Sequence, residues 1–580
     1  MGETLPSYMI PAYFVQIDQL PLTVNGKLDR KALPKPENDA LLGTLYVAPR
    51  TETEARLAAI WQEVLGIERV SVTDDFFVLG GHSIKAMELV SRVRKEFAKD
   101  FTLRMMFESP TIEGTGHRLS ELTSELYSII PKVQQQSYYP LSSAQTRLFV
   151  AYEMDRLNTA YNMPAVIELK GTLDRERAEQ AVLALIERHE ALRTTFEPID
   201  GEIVQKIHAT ASFSIDLISI SSDEQLTTII QEWVRPFDLS HAPLVRIALV
   251  DWIDDRYFML FDMHHIISDG VSMNIFIREF IALYNGQTLS PSSIQYKDYA
   301  VWQKDQLKSG RLERQEKYWL KNFSEEPSTF EFPTDYPRPV SESYEGNRLN
   351  YVLDKGITEG LKQMAQLTES TLFTVLLAAY KVWLSKWSGQ LDVVSGIVTS
   401  GRSRPETEDV IGMFAVTLPL RSRLNLDLKF TDFVVQVKEN MLEALSNQEY
   451  PMEELISKIG TRKAAGRNPL FDNVFSMNNL PVSRFELTGL EAKLGSVEQR
   501  MSKFDLMFAM AEIPEASVVN AAIEYKTALF SEYTVRSMWS SFEAVLLQII
   551  EYPECQLGEL VQAERKADPT NVFGQLTDLF

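Results

Sequence analysis

The chain has 580 residues, a formal net charge of −22 and an apolar content of 45%. This length corresponds to about three to four domains. The excess of acidic residues argues against nucleic acid or an anionic membrane as the main partner. Cys555 is the single cysteine, which excludes an internal disulfide and a cysteine-based zinc site and fits a reducing cytoplasm. No apolar run reaches the roughly 18 residues of a membrane helix, so we expect no membrane partner.

The N-terminal part of the chain combines a turn-rich segment with a helical domain. Residues 1–45 are rich in proline and end in an extended linker. Thr51 and Glu54 then have capping-box spacing, and the apolar residues behind them recur at helical spacing. A second helix is predicted from about Ser83 to Phe97. We therefore predict an all-α domain of four helices over residues 46–125, followed by a linker over 126–136.

The rest of the chain alternates between strand and helix patterns. Residues 245–250 and 256–263 are predicted to be neighbouring strands joined by an acidic turn. Apolar stripes at helical spacing follow, one from Met273 to Tyr284 and one from Phe373 to Trp387 that stops at Gly389. Helices and strands alternate twice over, which predicts an α/β region of two lobes.

Ser83 is the candidate attachment site of the helical domain. Gly80 and Gly81 let the backbone turn tightly and deliver Ser83 to the start of a helix. Backbone amides are unpaired there, and a phosphate group is favoured. On spacing alone, an ordinary N-cap serine is the commoner interpretation.

The stretch from Asp74 to Ile84 resembles the attachment motif of peptidyl carrier proteins, and the resemblance extends over residues 46–125. It implies that Ser83 carries a covalent 4′-phosphopantetheine arm, which a separate phosphopantetheinyl transferase installs from coenzyme A. The thiol of that arm would hold an aminoacyl or peptidyl group as a thioester.

A second candidate site follows a predicted strand and contains His264, His265, Asp269 and Gly270. Adjacent residues of a strand point to opposite faces, so the two histidines would not converge on one ion and we expect no metal. His265 could accept or donate a proton near neutral pH. Asp269 could be a second catalytic group or a buried structural charge. We favour the structural role, since a buried charge needs a partner.

This run resembles the H-H-x-x-x-D-G motif of condensation domains, which they share with acyltransferases of the chloramphenicol acetyltransferase type. Further segments match motifs of the condensation family in the family's order over residues 137–565: 142–149, 188–196, 296–302, 411–414, 450–451 and 467–472. The family often has asparagine where Val416 stands, so this chain lacks that polar group. The catalytic assignment does not depend on it.

The resemblance implies two chloramphenicol-acetyltransferase-like lobes in a V, an N-lobe over 137–305 and a C-lobe over 306–565, with His265 between them. His265 would take the proton of the reacting amine or hydrogen-bond the amine into line, and the backbone N–H of Gly270 would help to stabilise the oxyanion. His264 and Asp269 would be structural. We expect Asp269 to pair with an arginine of the second motif, Arg188 or Arg193.

Both ends of the chain resemble pieces of adenylation domains. The run from Asn25 to Arg30 resembles the last motif of such a domain, in which Lys27 would contact an acyl-adenylate. The ATP-binding body is absent, so we interpret residues 1–45 as a C-terminal remnant in which Lys27 is inert. Residues 566–580 resemble the lead-in to another adenylation domain. We therefore expect an excised piece of a longer protein.

Taken together, these segments resemble nonribosomal peptide synthetases of the tyrocidine and gramicidin kind. The resemblance implies that the carrier holds a donor thioester and that the condensation domain joins it to an amino acid on a downstream carrier, without ATP. The expected partners are upstream and downstream adenylation and carrier domains of the same synthetase, with their carrier-bound thioesters.

Three alternatives remain at this point. An epimerisation domain shares the histidine motif, but that family typically has tryptophan where Met273 stands, and its carriers usually have aspartate where His82 stands. Both differences favour condensation with an L-configured donor. A heterocyclisation domain would have aspartates in place of the two histidines. A non-catalytic docking platform is disfavoured because His265 and Asp269 are both present.

Overall fold

The computed structural model describes residues 46–81, 83–99, 101–122, 129–220, 223–252, 256–325, 331–339, 343–460, 467–477, 484–495, 500–513 and 516–562. These residues form two compact units, one within residues 1–127 and one within residues 128–580. The predicted adenylation remnant with Lys27, and the predicted lead-in over 566–580, lie outside the described residues. No helix in the described part of the chain is long and apolar enough to cross a membrane.

The first unit has the four helices predicted for it. They are α1 (Glu52–Leu65), α2 (Ser83–Phe97), α3 (Leu103–Glu108) and α4 (Ile112–Glu121). The side chain of Thr51 accepts the backbone N–H of Glu54, as the capping-box spacing predicts. The Glu54 carboxylate, however, accepts the N–H of Arg50 at 2.6 Å, one residue before the position expected for the box. Helix α1 buries Leu57 and Trp61 completely.

Close packing around Phe76 explains why residue 81, in the turn before α2, is a glycine. The Phe76 ring meets the ring of Trp61 edge-on, with centroids 5.1 Å apart. A Cβ atom at Gly81 would lie 2.2 Å from the Phe76 ring, so only glycine lets the backbone pass there. Gly80 has a φ of +91°, which also favours glycine. The two glycines together bring the chain from the core to the first residue of α2.

The second unit is an α/β region. Its N-terminal half contains β1 (Tyr139–Pro140), α5 (Ser143–Met154), β2 (Asn162–Gly171), α6 (Arg175–Arg188), β3 (Thr194–Ile199), β4 (Glu202–Ile207), β5 (Asp216–Ser219), α7 (Asp223–Trp233), β6 (Val245–Asp251), β7 (Arg256–His264), α8 (Gly270–Tyr284), α9 (Tyr296–Lys308) and α10 (Glu313–Asn322). The C-terminal half contains β8 (Gly346–Leu353), α11 (Lys355–Leu367), α12 (Leu372–Ser388), β9 (Asp392–Thr399), β10 (Val416–Arg423), α13 (Phe430–Ser446), α14 (Met452–Ile459), β11 (Asn473–Met477), β12 (Arg484–Leu487), β13 (Leu490–Leu494), β14 (Leu506–Ile513), β15 (Val518–Lys526), α15 (Glu532–Glu551) and α16 (Leu557–Gln562).

Two six-stranded sheets organise these elements. The first has the order β12-β13-β2-β7-β6-β5, the second has the order β10-β9-β11-β14-β15-β8, and β1, β4 and β3 form a small third sheet. The predicted pair of neighbouring strands is β6 and β7, which pair antiparallel. Strand β2 flanks β7 on its other side, with Asn162 opposite His264. The last residue of β7 therefore lies in the middle of the first sheet.

The two sheets are not built from two consecutive segments of the chain. Strands β12 and β13 belong to the C-terminal half, yet β13 pairs with β2 of the first sheet, with Leu490 opposite Gly171. Leu487 and Leu490 are buried in the core that the first sheet shares with α6 and α8. The predicted lobe boundary at 305/306 also falls inside α9 (Tyr296–Lys308).

Part of the predicted linker belongs to the second unit. Ile130 is 1% exposed and is a member of its hydrophobic core. The backbone N–H of Val133 donates to the Asp298 carboxylate at 2.8 Å. Ile130 and Val133, which lie inside the predicted linker, are therefore held by the second unit.

Candidate functional site

His265 follows the last residue of β7, and its ring is held in one orientation. Its backbone N–H donates to the carbonyl oxygen of Tyr161 at 2.8 Å. Its Nδ1 lies 2.8 Å from the backbone oxygen of Ser268. Since a carbonyl oxygen only accepts, Nδ1 carries the proton of the neutral ring. Nε2 is then the unprotonated nitrogen of a partly exposed side chain, and it can accept a proton.

His264 lies in a different environment, as the alternation of a strand predicts. Its side chain is buried, and its Nδ1 accepts the backbone N–H of Ile266 at 3.1 Å. The ring of Phe237 packs edge-on against it, with centroids 6.0 Å apart. Burial lowers the pKa of His264 to about 3, and the nearby cations Lys503 and Arg246 add to this effect. His264 is therefore a neutral residue of the core.

Asp269 is a buried carboxylate that joins distant parts of the second unit. One carboxylate oxygen, Oδ1, accepts the N–H of Ser272 at 2.7 Å and so caps α8. The same oxygen accepts a hydrogen bond from Nη2 of Arg402 at 3.1 Å. Its Oδ2 accepts the backbone N–H groups of Phe414 and Ala415 at 3.0 and 3.2 Å. Burial opposes ionisation, but Arg402 and these donors hold the pKa of Asp269 below its usual range.

The expected pairing of Asp269 with Arg188 or Arg193 is wrong, because both arginines lie against other groups. Arg188, at the end of α6, forms an ion pair with Glu279 of α8 at 3.0 Å. His189 reaches the same Glu279 carboxylate at 2.7 Å. Arg193 donates through Nη1 to the backbone oxygen of His208 at 2.5 Å. The second motif therefore contacts α8 and the residue that follows β4, and these contacts of the two arginines do not include Asp269.

Sequence reasoning missed Arg402, which is the partner that Asp269 uses. Its Nη2 also donates to Oγ of Ser272 at 2.9 Å, and its Nη1 donates to the backbone oxygen of Val410 at 2.8 Å. The guanidinium carbon lies 4.2 Å from the centroid of the Phe414 ring. No sequence signal singles out Arg402. In the structure it follows Gly401, whose φ of +64° and close approach to the Phe414 backbone mark a tight turn.

Tyr296 and Gly412 complete the support of the site. The hydroxyl of Tyr296 donates to the backbone oxygen of Met413 at 2.5 Å and lies 2.8 Å from Oγ of Ser142. A Cβ atom at Gly412 would lie 1.9 Å from the Tyr296 ring. The segment 410–415 is therefore pressed against α9 and the start of α8, which fixes the turn that carries His265.

Lys503 lies just before β14, a strand of the second sheet, and contacts Tyr161 beside the site. Its ammonium lies 5.3 Å from the centroid of the Tyr161 ring. Removal from water lowers the pKa of His265 below its usual range, and the positive charge of Lys503 lowers it further. Asp269 and the bond to Ser268 act in the opposite direction. The imidazole of His265 is therefore held in its neutral, proton-accepting form.

In the first unit, Ser83 is the first residue of α2, as predicted. The first turn of this helix contains no acidic residue, so nothing there opposes a phosphate group at the helix N-terminus. Asp75 accepts the backbone N–H groups of Phe77 and Val78, which folds the preceding loop. Val78 is 85% exposed. The exposed Val78 and a first helical turn without acidic residues fit a phosphodiester-linked arm on Ser83.

Comparison with known proteins finds family models that match both units. A model of the condensation domain family matches residues 135–568, and a model described as a phosphopantetheine attachment site matches residues 55–119. The X-domain in its complex with OxyB from teicoplanin biosynthesis superposes with a TM-score of 0.69 at 24% identity, over 76% of this chain and 99% of that one. At this identity the likeness shows the fold, and the predicted fold class is confirmed.

Curated relatives are similar along nearly the whole chain. Gramicidin S synthase 2 of Brevibacillus brevis is 44% identical over 562 residues, which are 97% of this chain and 13% of that protein. Tyrocidine synthase 3 of Brevibacillus parabrevis is 42% identical over 569 residues, which are 98% of this chain and 9% of that protein. The chain thus spans a small fraction of the length of these relatives. They do not favour the epimerisation alternative.

A condensation model covers most of the chain, and peptide synthetases match it from near one end to the other. The chain therefore belongs to the nonribosomal peptide synthetases, as a carrier domain for covalent 4′-phosphopantetheine followed by an amide-forming condensation domain of the acyltransferase kind.

Proposed function

We propose that this chain forms an amide bond between a donor acyl group held on Ser83 and the α-amine of an amino acid held on the next carrier. The observation that carries the proposal is the orientation of the His265 ring, whose Nδ1 lies 2.8 Å from the backbone oxygen of Ser268 and so leaves Nε2 as the unprotonated nitrogen. The 4′-phosphopantetheine arm supplies a thiol that presents acyl groups as reactive thioesters. Ser83 and the start of α2 would hold its phosphate.

His265 acts on the attacking amine in this proposal. The amine nitrogen forms a bond to the thioester carbonyl carbon, and an electron pair moves to the carbonyl oxygen. Nε2 of His265 accepts the proton that the nitrogen loses. The thioester would supply the carbon–sulfur bond that breaks, and the protonated imidazole of His265 would provide the proton that neutralises the leaving thiolate. The thioester is already activated, so the step needs no ATP, and the positioning of both reactants contributes much of the rate.

The backbone N–H of Gly270 is the proposed donor to the developing oxyanion. Gly270 is the first residue of α8 and is exposed. In the described part of the chain, the structure gives this N–H no acceptor, as expected for the first turn of a helix. Asp269 fixes the direction of this N–H by capping the same helix. His264 and Asp269 support the turn and do not touch the substrates.

The substrates and partners follow from the order of domains. The carrier on this chain serves the donor side, with an L-configured donor, and the acceptor arrives on a downstream carrier. A phosphopantetheinyl transferase modifies Ser83, and adenylation domains of the same synthetase load the carriers. The single cysteine supports a reducing cytoplasm as the location.

A transfer assay tests this function. Ser83 is loaded with a labelled peptidyl group, and a separate carrier loaded with an unlabelled amino acid is supplied. Label should move to the separate carrier and should be recovered as an amide. The His265→Ala variant, loaded to the same extent, is the control and should transfer about 10²–10⁴ times more slowly. Full transfer by this variant would contradict the role of His265, and movement in the opposite direction would contradict the donor role of the carrier.

A further inference from the structure

Lys503 lies beside the condensation site but has no role in the function proposed above. Its ammonium rests on the ring of Tyr161, with Nζ 5.3 Å from the ring centroid. The backbone oxygen of Tyr161 in turn accepts the N–H of His265 at 2.8 Å. Tyr161 therefore contacts both the cation and the catalytic histidine, although Lys503 precedes β14 of the second sheet and His265 follows β7 of the first.

The ammonium of Lys503 is not neutralised by a direct partner. In the part of the chain that the structure describes, Lys503 has no hydrogen bond and no ion pair. The acidic group that acts on it, Glu524 of β15, pairs instead with Arg348 at 3.2 Å. A half-buried cation without a counter-ion costs free energy. Such a charge is commonly kept where it serves function.

The backbone on both sides of Lys503 is anchored. The N–H of Ser502 donates to the oxygen of Tyr344 at 2.9 Å, and its Oγ donates to the oxygen of Phe504 at 2.7 Å. On the other side, the Asp505 carboxylate accepts a hydrogen bond from Nη1 of Arg338 at 3.1 Å. These contacts hold the segment 502–505 in place, so the charge of Lys503 has a fixed position relative to His265.

We propose that Lys503 is a positioning residue of the condensation site, a fixed positive charge that acts through His265 and keeps its imidazole available as the proton acceptor. The proposal rests on the function proposed above and adds a residue to it. A cation beside the ring disfavours a second positive charge, so the neutral form of His265 persists to lower pH. The reaction needs that form, because only an unprotonated Nε2 can take a proton from the amine.

The other charged groups around the site set the sign and range of this effect. His265 is influenced by Lys503, Asp269 and Arg147. Arg147 also acts on Lys503, but it pairs with Glu453 of α14 at 3.0 Å. Burial lowers the pKa of Lys503 itself to about 8. The ammonium is therefore charged below about pH 8, which includes the whole range in which a histidine titrates.

The direct test measures the titration of His265 by NMR in the full chain with labelled histidine. The chain has seven histidines, and a His265→Gln variant identifies the signal. Lys503→Met should raise the pKa of His265 by about one to two units, the size expected for unit charges roughly 6–12 Å apart at an effective dielectric constant of about 20. Lys503→Arg should restore most of the shift. An unchanged titration in folded Lys503→Met would overturn the proposal.

A matched control separates this effect from the general loss of a lysine. Lys362 pairs with Glu512 of β14 at 2.7 Å and does not act on His265. Lys362→Met should leave the titration of His265 unchanged. A shift as large as that of Lys503→Met would show that the effect is not specific, and would also overturn the proposal.

The pH dependence of label transfer then connects the charge to the reaction. The acid limb of the transfer rate should move to higher pH in Lys503→Met by the same amount as the titration, with the rate at pH 8 changed little. An acid limb that stays in place while the titration shifts would overturn the role in the reaction. The NMR measurement needs no turnover, so a chain that shows the shift but forms no amide would contradict the proposed function and leave the charge effect supported.

Discussion

Asp269 and Arg402 lie 133 positions apart in the chain, and their side chains meet at 3.1 Å in the interior of the second unit. The side chains are 1% and 5% exposed, respectively. The pair links the turn that carries His265 to the segment before β10. The precision of the candidate site therefore depends on a contact between the two halves of the unit.

A double-mutant cycle should detect this pair. Asp269→Ala leaves Arg402 buried without its carboxylate and should cost about 3–5 kcal/mol of stability. The effects of Asp269→Ala and Arg402→Met on the free energy of unfolding should be clearly non-additive. Arg188→Met is the matched control, because Arg188 pairs with Glu279, and its effect should add to that of Asp269→Ala within about 0.5 kcal/mol. A parent-like melting temperature together with lost transfer in Asp269→Ala would instead favour a catalytic Asp269.

Gly270→Pro should remove one N–H and little else. Proline is accepted at the first position of a helix. Asp269 before it has φ −138° and ψ −177°, the extended conformation that a following proline requires. If the Gly270 N–H stabilises the oxyanion, the transfer rate should fall by about 10²–10³ with the melting temperature unchanged. Gly270→Ala keeps the N–H and meets no atom within 4 Å, so it should transfer at the parental rate. Equal rates in both variants would exclude the oxyanion role.

Gly412→Ala should destabilise the second unit. Its Cβ would lie 1.9 Å from the Tyr296 ring, which is itself fixed by hydrogen bonds to Met413 and Ser142. Overpacking of this kind costs about 1–3 kcal/mol. Gly270→Ala, which adds the same methyl group in open space, is the control for thermal unfolding. A Gly412→Ala variant as stable as this control would show that the Tyr296 ring can move.

Substitution of the two neighbouring histidines should affect different properties, transfer for His265 and stability for His264. His265→Ala should retain its melting temperature and the modification of Ser83 while losing transfer. His264→Ala leaves the buried N–H of Ile266 without its acceptor and should lower stability by about 1–3 kcal/mol. His264→Asn supplies a side-chain oxygen as a substitute acceptor and should recover part of that loss. Lost transfer in a fully stable His264→Ala would place His264 in the reaction.

Ser83 should be the single site of phosphopantetheine attachment. Treatment with coenzyme A and a phosphopantetheinyl transferase should add one arm to the parent and none to Ser83→Ala, measured as intact mass. His265→Ala should gain the arm normally, because Ser83 and His265 belong to different compact units. An arm on Ser83→Ala would contradict the assignment.

Local patterns in the sequence are sufficient to predict the helices and strands that carry the site. The helix start at Ser83 and the strand that ends at His264 follow from glycine placement and side-chain alternation. The separation of His264 from His265 follows from the same alternation. These features depend on residues close together in the chain, so no distant contact had to be inferred.

Contacts between distant segments could not be predicted from such local patterns. The sequence indicates that Asp269 needs a cation, but many arginines are available and spacing does not distinguish them. Arg188 was the nearer choice by motif, and the structure assigns it to Glu279. The sequence does not predict that Lys503 lies near His265, because this proximity depends on how the second sheet packs against the first. The pairing of β13 with β2, which places β12 and β13 in the first sheet, could not be predicted for the same reason.

The pairing of β13 with β2 limits where synthetase modules can be joined in a chimaera. A junction placed at residue 305 would cut through α9 and would separate β2 from β13, its neighbour in the sheet. The exposed backbone of β2 would then be free to pair with other chains, which is a common route to aggregation. A chimaera with different parents before and after this junction would also need β13 of one parent to fit β2 of the other. Exchanges that keep residues 129–562 from a single parent avoid both problems.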